Sequence, residues 1–338
     1  MAKEKLLGKT PAELKEIVLS LGLPAFTAGQ LARWMYQKRA RSIEQMSDIS
    51  KQGRQLLADA FDLGYVPYRD CIVSADGSKK YLFELEDCPV EAVMIPDKER
   101  RTLCVSSQKG CKMGCKFCMT GRLGFHGNLD TAQILSQFIA VDESLELSNT
   151  VFMGMGEPLD NCPAVFRAIE VLTADWGFGW SPKRVTLSSI GLLPGLKSYL
   201  DGSRCHLAIS LHNPFPEERL EFMPVQKAYD IREVVRLIKQ YDFSGQRRVS
   251  FEYTMFKGWN DDKRHADALV RLLRDLECRV NLIRFHRIPD FPYECASDQA
   301  MTAFRDRLNS NGITCTIRAS RGEDILAACG MLAGKNKL

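Results

Sequence analysis

From residue 101 onward, short runs rich in β-branched and aromatic residues alternate with amphipathic segments, and no other feature of the chain constrains its fold as strongly. The strand-like runs fall at 102–106, 150–155, 185–189, 206–211, 249–256, 279–285 and 314–317, while helical periodicity occupies 131–141, 231–241 and 263–276. Strands separated by helix-length crossovers pair in parallel. Six or so such units predict an α/β fold, a partial (β/α)6 barrel whose chemistry sits at the C-terminal ends of its strands. Four segments result: a helical domain at 1–70, a β-hairpin extension at 71–100, the barrel at 101–320 and a C-terminal segment at 321–338.

The N-terminal domain announces its helices through capping residues. Thr10-Pro11-Ala12-Glu13 reads as an N-cap, a first-turn proline and a capping-box glutamate, followed by an apolar stripe of Leu14, Ile17, Val18 and Leu21. Thr27 and Gln30 repeat the box ahead of Leu31, Trp34 and Met35. Arg33, Lys38, Arg39, Arg41, Lys51 and Arg54 collect on the loops and outer faces. They would follow an RNA backbone or simply form a solvated surface. Asp76-Gly77 between Ile72-Val73 and Tyr81-Leu82-Phe83 is a turn between strands.

Composition narrows the class. With 338 residues, 45% hydrophobic and 26% charged, the chain buries a sizeable core and is not disordered. Met1-Ala2-Lys3-Glu4-Lys5 has no apolar stretch behind it, and no run of about eighteen apolar residues occurs, so a cytoplasmic protein without a membrane partner is expected. In that compartment twelve cysteines point to metal ligation or thiol chemistry rather than to a disulfide framework. A net charge of +4 is too small to argue for nucleic acid by itself.

The densest chemistry is Gly110-Cys111-Lys112-Met113-Gly114-Cys115-Lys116-Phe117-Cys118, directly after the first barrel strand. Three thiolates in a C-x3-C-x2-C arrangement can share one cluster, and the two glycines let the backbone wrap. Structural zinc wants four ligands, commonly as paired C-x2-C units, and no second pair is present. Three cysteines on a four-iron cube leave one iron for a small molecule bearing an amino and a carboxylate group. An electron carrier would instead need a fourth cysteine.

This triplet, with an aromatic before its last cysteine, resembles the signature of the radical S-adenosylmethionine (SAM) superfamily. The resemblance implies a [4Fe–4S] cluster on Cys111, Cys115 and Cys118, with SAM on the open iron. It extends over almost the whole chain. Cys104-Val105-Ser106-Ser107-Gln108, Met153-Gly154-Met155-Gly156-Glu157-Pro158, Ser210-Leu211-His212 and Arg321-Gly322-Glu323-Asp324 leading into Ala327-Ala328-Cys329-Gly330 are similar to the bacterial dual-specificity adenine-C2 methyltransferases of 23S ribosomal RNA and transfer RNA.

The resemblance implies roles residue by residue. Cys329 would accept a methyl group from one SAM and a second SAM would supply the radical, two per turnover. Cys104 would resolve the protein–RNA adduct through a transient disulfide with Cys329. Glu91, on a strand face with Val93 and Ile95, would be the proton acceptor. Gly156, Glu157, Ser188, Ser210, Leu211, His212 and Asn260 would contact SAM. Implied partners are 23S ribosomal RNA before full ribosome assembly, transfer RNA, and an electron donor such as flavodoxin or ferredoxin, the chain itself being a monomer. Lys112, Lys116, Arg122, Arg284, Arg287, Arg318 and Arg321 would rim the RNA entrance. Ser188-Ser189-Ile190-Gly191 and Met331 depart from the family's usual wording and bear on substrate positioning. Two alternatives stay open: a sister enzyme methylating adenine C8, which confers antibiotic resistance, and a zinc-dependent RNA-binding protein without catalysis.

Overall fold

The first helix starts where its capping residues place it. Thr10 Oγ1 accepts from Glu13 N, and the Glu13 carboxylate accepts from Thr10 N at 2.6 Å, a reciprocal arrangement worth about 1 kcal/mol. The computed structural model describes residues 3–86 and 88–332, so 1–2, 87 and 333–338 of the expected segments lie outside the described residues. The N-terminal unit comprises β1 (Glu4–Lys5), α1 (Pro11–Ser20), α2 (Thr27–Ala32), α3 (Lys51–Ala60) and β2 (Phe61–Asp62), with β1 and β2 paired in parallel. Leu14, Val18, Leu31, Met35, Tyr36 and Leu57 form its core. The second box predicted at Thr27 does not form. Phe26 occupies the cap position, Thr27 is buried, and Gln30 reaches across to Asp48 O instead.

Three of the basic residues expected on the outer faces are used internally. Arg41 donates to Ile139 O and Ala140 O, Arg39 to Ser144 Oγ, and Arg54 to Met46 O and Ile49 O. Carbonyls at a helix C-terminus lack intrahelical partners and carry negative partial charge, which is where a guanidinium binds well. Arg33, Lys38 and Lys51 remain exposed.

The hairpin predicted around Asp76-Gly77 consists of β3 (Asp70–Val73) and β4 (Lys79–Phe83). Its second strand pairs onward with β5 (Val90–Asp97), which pairs with β6 (Arg100–Cys104), all antiparallel. Next come β7 (Gln108–Gly110), α4 (Met119–Arg122) and β8 (Phe125–Asn128), with β7 and β8 paired across the cysteine loop. The chain continues through α5 (Thr131–Ala140), β9 (Asn149–Phe152), α6 (Cys162–Thr173), β10 (Val185–Ser189), α7 (Leu193–Gly202), β11 (His206–Ser210), α8 (Pro216–Phe222), α9 (Ile231–Ile238), β12 (Val249–Met255), α10 (Lys263–Leu273), β13 (Arg279–Arg284), α11 (Asp298–Ser310) and β14 (Thr314–Ile317).

One ten-stranded sheet runs in the order β14-β13-β12-β11-β10-β9-β6-β5-β4-β3. Every neighbouring pair from β6 to β14 is parallel, and β14 and β3 are separate edges, so the barrel is partial. The helices cover the sheet through apolar stripes at helical spacing. In α9, Ile231, Val234, Val235 and Ile238 are all buried, each worth roughly 1.5–3 kcal/mol of transfer free energy. With its faces packed, the sheet leaves the C-terminal strand ends as the place where polar side chains converge.

Candidate active site

Those strand ends enclose two adjoining cavities. The first, of about 150 Å3, is walled by Cys111, Cys115, Cys118, Gly156, Glu157, Ser188, Ser210, His212, Thr254 and Cys329, among others. The second, of about 100 Å3, is walled by Cys104, His286, Arg318, Arg321 and Cys329. Met153, Ile283, Arg284, Cys329 and Gly330 border both.

The cysteine loop is shaped by backbone that only glycine tolerates. Gly110 has φ +73°, and a Cβ there would lie 1.9 Å from Gly124 O. Cys111 N donates to that same oxygen at 2.8 Å, closing the loop onto β8. Burial pushes the Cys111 thiol up to about 12 and also raises Cys115 and Cys118; Cys118 adds to the rise at Cys111 and Cys115, and Cys329 to that at Cys118. Bare thiolates are therefore unfavourable here, and a bound cation would stabilise them. The three thiols border one cavity, yet among the described residues no group of three or more His, Cys, Asp or Glu side chains is placed to hold a metal ion. Sulfur donors spread around a cavity fit a multi-iron body better than mononuclear zinc.

Gly156 gives the opposite wall its approach. Its φ is +100°, and a Cβ would sit 2.5 Å from Gln108 Cβ. Gln108 then ties this wall to the cysteine loop, accepting from Glu157 N at 2.9 Å and donating to Asn128 and Asp160. Glu157 is 3% exposed. Burial raises its carboxyl to about 7, against hydrogen bonds from Ser189, Ile190 N and Leu159 N that pull it down. An amino group entering the cavity would complete its pairing.

His212 sits in left-handed backbone, φ 56°, buried, with its ring edge on Phe117. Thr254 N donates to its Nδ1 at 2.9 Å, so the proton resides on Nε2. Burial, and then Arg219, lower its pKa to about 3, which keeps the ring neutral. It offers one fixed N–H donor and no charge.

Two residues expected to contact SAM are not on the cavity walls. Asn260 is 0% exposed. Its amide donates to His212 O at 2.7 Å and Thr254 O at 2.8 Å and accepts from Phe256 N, which engages it fully as a brace behind His212. Leu211 is likewise buried in the core. Glu91 also departs from expectation. It is 0% exposed, borders neither cavity, and its Oε1 lies 3.0 Å from Lys80 Nζ, itself 1% exposed. Lys80 faces Val93, two residues along β5 from Glu91, so the pair meets diagonally across β4 and β5.

Cys104 and Cys329 share the wall of the second cavity, both as free thiols, so the implied disulfide is not a feature of this structure. Burial raises the Cys104 thiol to about 12, the proximity of Cys329 adds to this, and Arg318 opposes it. Arg318 is held 3.4 Å from Glu252 Oε2, and Asn281 and Ser250 donate to the other oxygen of Glu252. Of the cations expected to rim an RNA entrance, Lys112, Arg122, Arg284 and Arg287 are ion-paired with Asp160, Asp290, Asp298 and Glu294, respectively.

Sequence reasoning missed three residues of this region. Arg219, in the run Glu217-Glu218-Arg219, looks like a solvent-facing charge, yet it is 0% exposed and donates to Leu211 O, Ser210 O, Ile190 O and Gln226. Glu252 shares one face of β12 with Ser250 and Thr254, opposite Val249, Phe251, Tyr253 and Met255, and a carboxylate on a strand inside a parallel sheet was a usable signal. His286 borders the second cavity, held by Ser320 and Glu323.

Comparison with known proteins identifies the family. Residues 105–269 match the radical SAM superfamily, and residues 4–63 match the ribosomal RNA large subunit methyltransferase N-terminal domain. A probable dual-specificity RNA methyltransferase RlmN of Porphyromonas gingivalis is 56% identical, covering 97% of this chain and 96% of its own. The dual-specificity RNA methyltransferase RlmN of Syntrophus aciditrophicus is 38% identical, covering 96% of this chain and 94% of its own. The crystal structure of a radical SAM methyltransferase from Sphaerobacter thermophilus superposes with a TM-score of 0.93 at 35% identity, covering 98% of this chain and 100% of that one. Conserved architecture over nearly the full length, with the cysteine triplet and the paired thiols in place, assigns the chain to the RlmN family of RNA methyltransferases within the radical SAM superfamily.

Proposed function

We propose that this protein methylates C2 of an adenine base in 23S ribosomal RNA and in transfer RNA, using Cys329 as the carrier of the methyl group. The observation that carries this reading is the placement of Cys104 and Cys329 on one cavity wall, continuous with the wall formed by Cys111, Cys115 and Cys118. The superfamily's cofactors, a [4Fe–4S] cluster and SAM, supply a low-potential electron, a methyl group and a 5′-deoxyadenosyl radical when bound.

The chain's own residues divide the remaining work. Cys111, Cys115 and Cys118 hold the cluster. Glu157 receives an amino group, Gly156 allows close backbone approach, and Ser188, Ser210 and the Nε2–H of His212 supply polar contacts, braced from behind by Asn260 and Leu211. Adenine C2 lies between two ring nitrogens and is electron-poor, so an electrophilic methyl group does not transfer to it directly. Cys329 therefore gives up its proton and carries the methyl carbon as a thioether until that carbon is joined to the base. Cys104, as its thiolate, then takes the ring proton at C2 from the adduct; the proton passes to the methylene carbon, completing the methyl group, as the Cys104 sulfur closes onto the Cys329 sulfur and the carbon–sulfur electron pair leaves with the base. Arg318 stabilises the thiolates of this exchange. Glu91 can serve as proton acceptor in this scheme only if the cover provided by Lys80 opens. Cytoplasmic residence, a monomeric chain and flavodoxin or ferredoxin as electron donor belong to the same reading.

Anaerobic reconstitution with iron and sulfide, followed by turnover with a reductant, SAM and a ribosomal RNA fragment, tests it. Mass spectrometry of the digested RNA should show 2-methyladenosine. Recovery of 8-methyladenosine would transfer the chain to the sister activity, and an unmodified RNA would overturn the reading.

A further inference from the structure

Besides the contacts of Ser320 and Glu323 with His286, the segment bearing Cys329 is fastened on either side of that thiol. Downstream, Met119 N donates to Gly330 O at 2.8 Å and Thr120 Oγ1 to Leu332 O at 2.7 Å, tying it to α4 just after Cys118. Upstream, it is fastened to a distant part of the chain, the turn between β3 and β4. Ser74 Oγ donates to Asp324 Oδ1 at 2.5 Å, Ala75 N to Asp324 Oδ2 at 3.0 Å, and Gly322 N to Asp76 Oδ2 at 2.9 Å.

Both partners of this junction are built for it. Asp76 uses one oxygen to accept from Ser78 N within its own turn, which leaves the other for Gly322. The turn is closed by Ser74 N donating to Ser78 O and Gly77 N donating to Ser74 O. On the other side, Gly322 has φ +61°, and a Cβ there would lie 2.9 Å from Ala327 Cβ. Ala327 N donates back to Gly322 O at 2.8 Å, folding residues 322–327 into a tight turn that delivers Cys329 to the cavities. Cys329 itself is exposed and borders both cavities.

We propose that the turn between β3 and β4 is a clasp that positions Cys329, with Asp324 and Asp76 as its positioning residues. The inference rests on the function proposed above, in which Cys329 must meet a methyl donor on one side and Cys104 on the other. A segment held at both ends confines its thiol to the short span between the fastenings, and confinement of this kind raises the effective concentration of one group at another. Release of this upstream fastening would leave a longer loop between β14 and the downstream tie to α4, with more positions open to the thiol and a lower effective concentration at both encounters. The turn belongs to the hairpin outside the parallel barrel, so the clasp gives that hairpin a task in the thiol chemistry.

Four variants of the full chain test this: Asp324→Ala, Asp324→Asn, Ser74→Ala and the double variant Ser74→Ala with Asp324→Ala. The asparagine is isosteric and keeps both contacts, since its Oδ1 accepts from Ala75 N and its Nδ2 donates to Ser74 Oγ. Hydrogen exchange needs no cofactor. The amides of Gly322 and Ala327 should exchange about tenfold faster or more in Asp324→Ala and at the parental rate in Asp324→Asn. In iron-loaded protein given SAM, mass spectrometry follows methyl uptake at Cys329. Uptake should slow by about tenfold in Asp324→Ala and Ser74→Ala, slow no further in the double variant, and recover in Asp324→Asn, with iron content and SAM affinity unchanged. Asp324→Ala methylated at the parental rate overturns the clasp, as does Asp324→Asn behaving like the alanine variant. A parental Cys329 that takes up no methyl group overturns the proposed function and the positioning role with it.

Discussion

Replacing Arg219 with methionine probes how the cofactor side of the cavity is held. All four acceptors of the buried guanidinium are neutral: Leu211 O at 3.0 Å, Ser210 O at 3.0 Å, Ile190 O at 3.3 Å and Gln226 Oε1 at 2.8 Å. Burial lowers its pKa to about 10, which still leaves it charged at neutral pH. Hydrogen bonds from a charged donor contribute roughly 1.5–3 kcal/mol each, so four amount to at least about 6 kcal/mol gross. Against this stands the desolvation of a buried charge, several kcal/mol, leaving a net contribution of about 2–4 kcal/mol. Methionine fills much of the volume without the charge, and Leu211 O keeps its bond from Asn213 N, so the loss should match the net figure rather than the gross one. Denaturant unfolding of the apo protein should show this loss with an unchanged m-value. Calorimetric titration should show SAM binding weakened by about tenfold or more, because the ends of β10 and β11 that carry Ser188, Ser210 and His212 lose their common tie. An Arg219→Met protein within about 0.5 kcal/mol of the parent, binding SAM normally, would refute the reasoning.

The other expectations concern the cavity walls and the thiols. His212 has its folded pKa lowered from 6.5 to about 3 by burial, so the unfolded chain binds its proton first; its contribution is full above pH 6.5 and is lost as pH falls, by about 2 kcal/mol at pH 5. Glu157 has its folded pKa raised from 4.5 to about 7, so its contribution is present below pH 4.5 and is lost as pH rises through 7. The two nearly cancel between pH 5 and 6.5, and unfolding measurements should therefore show stability rising with pH in Glu157→Gln relative to His212→Gln; parallel profiles would exclude the assignment. Gly156→Ala combines a positive φ with a clash on Gln108, and denaturant unfolding should register a loss of about 2–4 kcal/mol. Cys329→Ala should retain iron yet methylate no RNA, and Cys104→Ala should accumulate a covalent protein–RNA adduct visible as a gel shift; free methylated RNA at the parental rate from either would remove its assigned role.

What the sequence revealed and what it hid separate along one physical line. Periodicity and spacing report on neighbours in the chain, so the parallel strands, the first capping box and the cysteine triplet were all legible. A loop residue after a strand, by contrast, reads the same whether it faces a cavity or braces the backbone behind one, and Asn260 proved to be the brace. Glu91 was placed on a buried face correctly, but the cation that covers it comes from β4, and only the register of β4 against β5 shows that Lys80 reaches it. Arg219 gave no signal, because a charge between two glutamates and a leucine is the ordinary pattern of a solvated helix. The junction of Asp324 with Ser74 spans a separation of 250 residues and has no local signature on either side. Arg219, Asn260 and Asp324 share a character: each uses a polar side chain to fix backbone at a reacting or binding residue or within five positions of one. Chemistry in this fold is therefore written in short motifs, while its geometry depends on single polar residues from elsewhere in the chain. Substitutions at Arg219, Asn260 or Asp324 should accordingly impair binding or methyl uptake while leaving every motif residue in place.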